Sequence, residues 1–128
     1  MSEAINTEKA PAAIGPYVQA MDIGNMVYTS GQLPIDTATG EMPETAAEQA
    51  LISLKNVQAI IETTGLTVND IFKTTIFVKN LNDFAAVNDV YSRFFEENNA
   101  SFPARSCVEV ARLPKDALIE IEAIALRK

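Results

Sequence analysis

The chain has 128 residues, 48% of them apolar and 21% charged, enough for one domain over residues 1–128 with a core of its own. Ten Lys and Arg against seventeen Asp and Glu leave a net charge of −7. With no clustered basic run, that charge sets the chain against phosphate backbones and anionic lipid. Histidine is absent, which excludes Ser-His-Asp and Cys-His catalysis and His-based metal sites, and the single cysteine, Cys107, cannot make an internal disulfide.

Pro11 and Pro16 punctuate a loose N-terminal segment, after which residues 17–21 read as a strand. Ile23-Gly24-Asn25 supplies a turn into a second strand over residues 26–30, so the two form a hairpin. Residues 31–43 carry Pro34, Asp36, Thr39, Gly40 and Pro43, which is loop chemistry. From Glu44 onward Ala47, Ala50, Leu51, Leu54, Val57, Ile60 and Ile61 recur at three- and four-residue steps, one face of a helix. Glu44 and Glu48 suit the positive end of its dipole, and Gly65 suits the residue after its end.

Residues 71–79 are β-branched and aromatic enough for a strand. Asn82 is the expected N-cap of a second helix, whose stripe is Phe84, Val87, Tyr91, Phe94 and Phe95 and which runs to about Asn98. Residues 104–111 and 118–127 read as two more strands, with Pro114-Lys115-Asp116 in the connection.

This order describes an α+β fold, a mixed sheet with two helices on one face. No helix is left for the other face. Symmetric association with copies of the chain would cover it, and a solvated face is the plainer alternative. No apolar run approaches the ~18 residues of a membrane span, and Met1-Ser2-Glu3-Ala4 lacks the basic and apolar parts of a secretion signal. A soluble, cytoplasmic protein without membrane or nucleic-acid partners is the expectation.

In the strand around Arg105-Ser106-Cys107-Val108-Glu109, alternation puts Arg105, Cys107 and Glu109 on one face. The Arg105 guanidinium is a planar fork that matches a carboxylate, and the plain alternative is an ion pair with one of the chain's many acids. Cys107 has no histidine to activate it and reads as a small packed residue. In the last strand Glu120 and Glu122 share a face, and one of them could serve as a base or hold a water. Pairing of that strand with the one bearing Arg105 would place both charges on one surface. Tyr17, Ser30 and Asn88 are polar residues near element ends, and Gly31 offers a bare N–H beside the second strand. Taken alone, these four read as turn or surface residues. The aromatic stripe of the second helix reads as core.

Several segments carry a resemblance over nearly the whole chain. They are Ala12-Ala13-Ile14-Gly15-Pro16-Tyr17, Thr29-Ser30-Gly31-Gln32, the run Phe102-Pro103-Ala104-Arg105-Ser106-Cys107-Val108-Glu109-Val110, then Leu113-Pro114-Lys115-Asp116 and Ile119-Glu120-Ile121-Glu122-Ala123. In these the chain resembles the RidA/YjgF family.

The resemblance implies a fold like the bacillus type of chorismate mutase. It also implies a homotrimer whose sheets form a central barrel, with ligand clefts between neighbouring subunits. It implies hydrolysis of 2-imino acids and their enamine tautomers, such as 2-aminoacrylate, to 2-keto acids and ammonia, with no cofactor and no metal. Those imines arise from pyridoxal-phosphate enzymes acting on serine or threonine. Carried onto this chain, Arg105 grips the substrate carboxylate and Glu120 orients and deprotonates the attacking water. The main chain at Gly31 and Cys107 positions the reacting centre, and Tyr17, Ser30 and Asn88 line the cleft. A non-catalytic module that binds 2-keto acids is the alternative reading. Ribonuclease activity, a historical reading for some relatives, sits poorly with a −7 chain lacking histidine.

Overall fold

The computed structural model describes residues 2–128. In chain order they form β1 (Glu3–Ile5), β2 (Ala20–Asp22), β3 (Met26–Thr29), α1 (Ala46–Thr63), β4 (Ile71–Val78), α2 (Phe84–Glu97), β5 (Ala104–Glu109) and β6 (Ile119–Leu126). Alternation is clearest in β6, where Ile119, Ile121, Ala123 and Ala125 are buried while Glu120, Glu122 and Ile124 between them are only half-buried. β6 is central, pairing antiparallel with β3 on one side and β4 on the other, and the sheet order is β1-β2-β3-β6-β4-β5. β5 joins β4 in parallel. A parallel pair needs a crossover, and α2 supplies it.

Both helices cover the face that carries Ile76, Val78, Ile119 and Ile121, and these side chains share one core with Leu54, Val57, Ile60 and Ile61 of α1 and Val87, Tyr91 and Phe95 of α2. Thr45 caps α1 in a reciprocal box: its hydroxyl accepts from the Glu48 N–H at 3.1 Å, and the Glu48 carboxylate accepts from the Thr45 N–H. Gly65 follows the helix at φ +87°, as its place in the sequence predicts.

Three polar residues of α1 are buried beside the apolar stripe: Gln49, Ser53 and Asn56. Two of them fasten loops. The Asn56 amide donates to the carbonyls of Leu33 and Ile35, both at 3.0 Å, and Gln49 joins the Pro43 carbonyl to the N–H of Leu118. Leu33 and Ile35 belong to a second, smaller core with Met42, Phe77, Val110, Leu113 and Ala117. Loops therefore cover part of the face that the helices leave open.

Elsewhere the structure differs from the sequence reading. Residues 17–19 precede the strand, which is only Ala20–Asp22, because Tyr17 sits in a turn closed by its N–H on the Gly15 carbonyl. The N-terminal segment read as loose contributes β1. Asn82 is not the cap of α2. Asn80 accepts from the Asn82 N–H at 2.8 Å and opens a short 3-10 turn, Leu81–Asp83, from which α2 continues. The Glu109 carboxylate accepts from the Leu81 N–H at 2.9 Å, so the entry to α2 is tied to the end of β5. No helix among the described residues is long and apolar enough to cross a membrane.

Candidate active site in two halves

The first group of candidate residues gathers where the chain leaves β3. Gln32 makes a bridge to β6, its N–H donating to the Ile121 carbonyl at 2.7 Å and its carbonyl accepting from the Ile121 N–H at 3.2 Å. That bridge lays Gly31 against Glu120. A Cβ on Gly31 would stand 2.8 Å from the Glu120 carboxyl carbon and 3.0 Å from its Oε2, so glycine here makes room for the carboxylate. The sequence suggests a turn or a bare N–H at this position; the packing against Glu120 is not readable there.

Ser30 is fixed by two bonds, its N–H on the Gln19 carbonyl at 2.8 Å and its hydroxyl on the Val18 carbonyl at 2.6 Å. The Tyr17 hydroxyl accepts from the Ile14 N–H at 3.2 Å and keeps its own proton to donate. Tyr17, Ser30, Gly31, Phe77, Glu120 and Glu122 border one cleft of about 500 Å³. Burial pushes the Glu120 carboxyl above the usual range for a glutamate, and the charge of Glu122, on the same face of β6, pushes it further.

The second group lies on the other side of the sheet. Arg105 stands directly opposite Thr74 in the β4–β5 ladder, and Cys107 opposite Ile76, on the face that α1 and α2 cover. Glu120 stands opposite Phe77, and Glu122 opposite Thr75, on the open face. The expectation that Arg105 and Glu120 share a surface is therefore corrected. β4 separates their strands, and the alternation of β4 turns one charge toward the helices and the other away.

The Arg105 guanidinium lies 4.9 Å from the ring centre of Tyr91 and 5.4 Å from that of Phe84. Among the described residues of one copy it makes no ion pair, so no acid of its own copy holds it. A smaller cleft of about 280 Å³ runs over Asn88, Tyr91, Ser92, Phe102, Pro103 and Arg105. Asn88 lies within α2 rather than near an element end, and its Oδ1 is buried without a hydrogen-bond partner.

Cys107 packs on the main core and borders neither cleft. Burial raises its pKa, and the nearby charge of Arg105 only partly offsets this, so the thiol stays protonated at neutral pH. Phe84, read as core, is 40% exposed and sits beside Arg105. The sequence shows only that Phe84 and Tyr91 lie two turns apart on one helix face; the parallel pairing of β4 and β5 is what carries that face to Arg105.

Among the described residues, no three His, Cys, Asp or Glu side chains are grouped to hold a metal ion. A larger hollow of about 610 Å³ beside the N-terminal segment contains none of the candidate side chains.

Comparison with known proteins identifies the family of the whole chain. The endoribonuclease L-PSP family model matches residues 7–127. The 2-iminobutanoate/2-iminopropanoate deaminase of Escherichia coli K12 is 66% identical over 128 residues, covering all of both chains. The crystal structure of the E. coli YjgF gene product superposes with a TM-score of 0.97 at 65% identity, over 98% of this chain and 99% of that one. E. coli TdcF with bound serine superposes equally well, TM-score 0.97 at 56% identity, over 98% and 99% of the two chains. Likeness along the full length, at two-thirds identity and on a common fold, makes this chain a member of the RidA/YjgF family, the family that the L-PSP description covers.

Proposed function

We propose that this protein is a 2-iminobutanoate/2-iminopropanoate deaminase, hydrolysing reactive 2-imino acids and their enamine tautomers to 2-keto acids and ammonia. One observation carries the reading: in a chain 66% identical, end to end, to a protein of that name, the Arg105 guanidinium borders a cleft with no acid partner among the described residues. A 2-imino acid brings the missing carboxylate. That a relative was crystallised with serine, which carries the same α-carboxylate, supports this choice of ligand.

The chemistry asks little of the protein. A protonated imine is already electrophilic at C2, so neither a metal nor a covalent nucleophile is needed. Arg105 holds the carboxylate through two parallel N–H bonds and fixes C2. Glu120 orients a water, takes its proton as the oxygen bonds to C2, and leaves a carbinolamine. Glu120 returns the proton to the nitrogen, and as the C–N bond breaks the regenerated carboxylate takes the carbinolamine O–H proton and passes it to the departing ammonia, leaving a 2-keto acid and ammonium. The raised pKa of Glu120 makes its carboxylate a better proton acceptor than an ordinary glutamate. Gly31 and the main chain at Cys107 shape the reacting centre, with Tyr17, Ser30 and Asn88 along the walls.

Arg105 and Glu120 lie on opposite faces of one sheet, so each site is built from two copies: the Glu120 half of one and the Arg105 half of its neighbour. Three copies close into a ring with the open sheet faces inward as a barrel, the arrangement of bacillus chorismate mutase. Exposed Tyr28, 43%, and Val108, 45%, on or beside that open face support the burial. The protein works in the cytoplasm, beside the pyridoxal-phosphate enzymes that release its substrates.

Replacing Arg105 by Lys keeps the charge and loses the two-pronged grip. The change should cost about 2–3 kcal/mol, a charge-assisted hydrogen bond, or roughly a 30- to 150-fold fall in kcat/KM. The assay couples a threonine dehydratase to the protein and follows ammonia and keto acid above the spontaneous rate. No acceleration by the native protein, with keto acid still bound, would leave only a binding module. Gly31→Ala should leave the urea unfolding midpoint nearly unchanged, because the crowded group is a flexible side chain, yet reduce turnover by displacing the Glu120 carboxylate. A normal rate in that variant would detach Glu120 from the chemistry. Glu122→Gln removes one of the two causes that raise Glu120, so the acid limb of the kcat/KM profile should move to lower pH. An unmoved limb would assign it to another group.

A further inference from the structure

Arg105 poses a physical problem that the reaction scheme leaves open. A guanidinium that must grip a substrate carboxylate has to be held still, yet anything that holds it with an acid would cancel its charge and occupy its donors. The chain carries seventeen acidic residues, and none of the described ones pairs with Arg105. What does lie against it is aromatic: Tyr91 at 4.9 Å and Phe84 at 5.4 Å.

We propose that Tyr91, with Phe84 as a second plate, is the positioning residue for Arg105, holding the guanidinium through ring faces so that its N–H donors stay open for the substrate. This rests on the deaminase reading for the identity of that substrate. The ring quadrupole attracts the cation within about 6 Å of the ring centre and consumes none of its in-plane N–H groups.

Tyr91 is itself immobilised. It is buried, its ring packs 4.8 Å from Phe95, and its hydroxyl is hydrogen-bonded to the Thr74 hydroxyl at 2.7 Å. Thr74 is the residue directly opposite Arg105 in the β4–β5 ladder. Backbone pairing thus fixes Thr74 against Arg105, and Thr74 fixes the ring on which the Arg105 side chain lies. The exposed Phe84, two helical turns earlier, faces the same guanidinium. A hydroxyl on a ring in an apolar core ordinarily needs a reason, and anchoring the plate supplies one.

The test compares Tyr91→Leu, which removes the plate, with Tyr91→Phe, which keeps it. Tyr91→Leu should raise KM for the imine and the Kd of a small 2-keto acid about three- to tenfold, the scale of a partly buried cation–π contact, with kcat within twofold. Tyr91→Phe, which keeps the ring and loses only its anchor to Thr74, should fall between the native protein and Tyr91→Leu on both. In an Arg105→Met background Tyr91→Leu should change keto-acid binding no further, since its effect passes through Arg105. Phe84→Leu, at an exposed position, repeats the comparison should Tyr91→Leu not fold, with Phe84→Tyr restoring the ring. One readout needs neither ligand nor turnover: the Arg105 side-chain Nε–H proton resonance, identified by its loss in Arg105→Lys. It should be shifted by ring currents in the native protein and move toward the position of a free arginine in Tyr91→Leu or Phe84→Leu. An unshifted resonance, or equal losses with and without Arg105, would overturn the proposal. Failure of the native protein to hydrolyse imines would overturn the deaminase reading while leaving this resonance as the test of the plate.

Discussion

Alternation along β4 governs the whole arrangement. Thr74 and Phe77 lie on opposite faces of one strand, and through the ladders on either side they carry Arg105 to the helix side and Glu120 to the open side. No side-chain motion brings the two together across a packed sheet. Two clefts on one chain follow from that separation, each holding one of the two charges.

The helices matter to function through what they hold in place. α1 fastens the loop containing Gly31 by burying Asn56 under the carbonyls of Leu33 and Ile35. α2 offers two rings to Arg105, and its entry is tied to the end of β5 through Glu109. Both halves of the candidate site therefore rest on the packing of the two helices. Polar groups are placed sparingly: a carboxylate made more basic by burial, a guanidinium kept free of acids, and a thiol kept protonated.

Much of the fold could be read from the sequence because its signals are local. The apolar steps from Ala47 to Ile61, glycine at position 65 and the alternation of residues 119–125 each have one structural solution, and the structure has them. Strand adjacency is a different kind of information. Residues 104–109 and 119–126 look equally able to pair, and only the parallel crossover through α2 places β4 between them. The start of α2 is two residues off the expected Asn82, because Asn80 opens the turn that leads into it and the Glu109 carboxylate that ties Leu81 belongs to a distant strand. The site residues were visible as types, while their grouping was not. The space beneath Gly31 depends on the bridge between Gln32 and Ile121, 89 residues apart in sequence, and the plates beside Arg105 depend on where α2 crosses the sheet.

On the proposed reading, one working site takes Glu120 from one copy and Arg105 from the next. The direct measurement mixes two inactive variants, Arg105→Ala and Glu120→Gln, unfolded and refolded together at equal concentration. If sites form between neighbours in a ring of three, random mixing leaves about one quarter of the native sites with both residues intact, and imine hydrolysis should return to about one quarter of the native rate. Refolding each variant alone should restore nothing. A mixture as inactive as its components, from material shown to have exchanged subunits, would contradict the account.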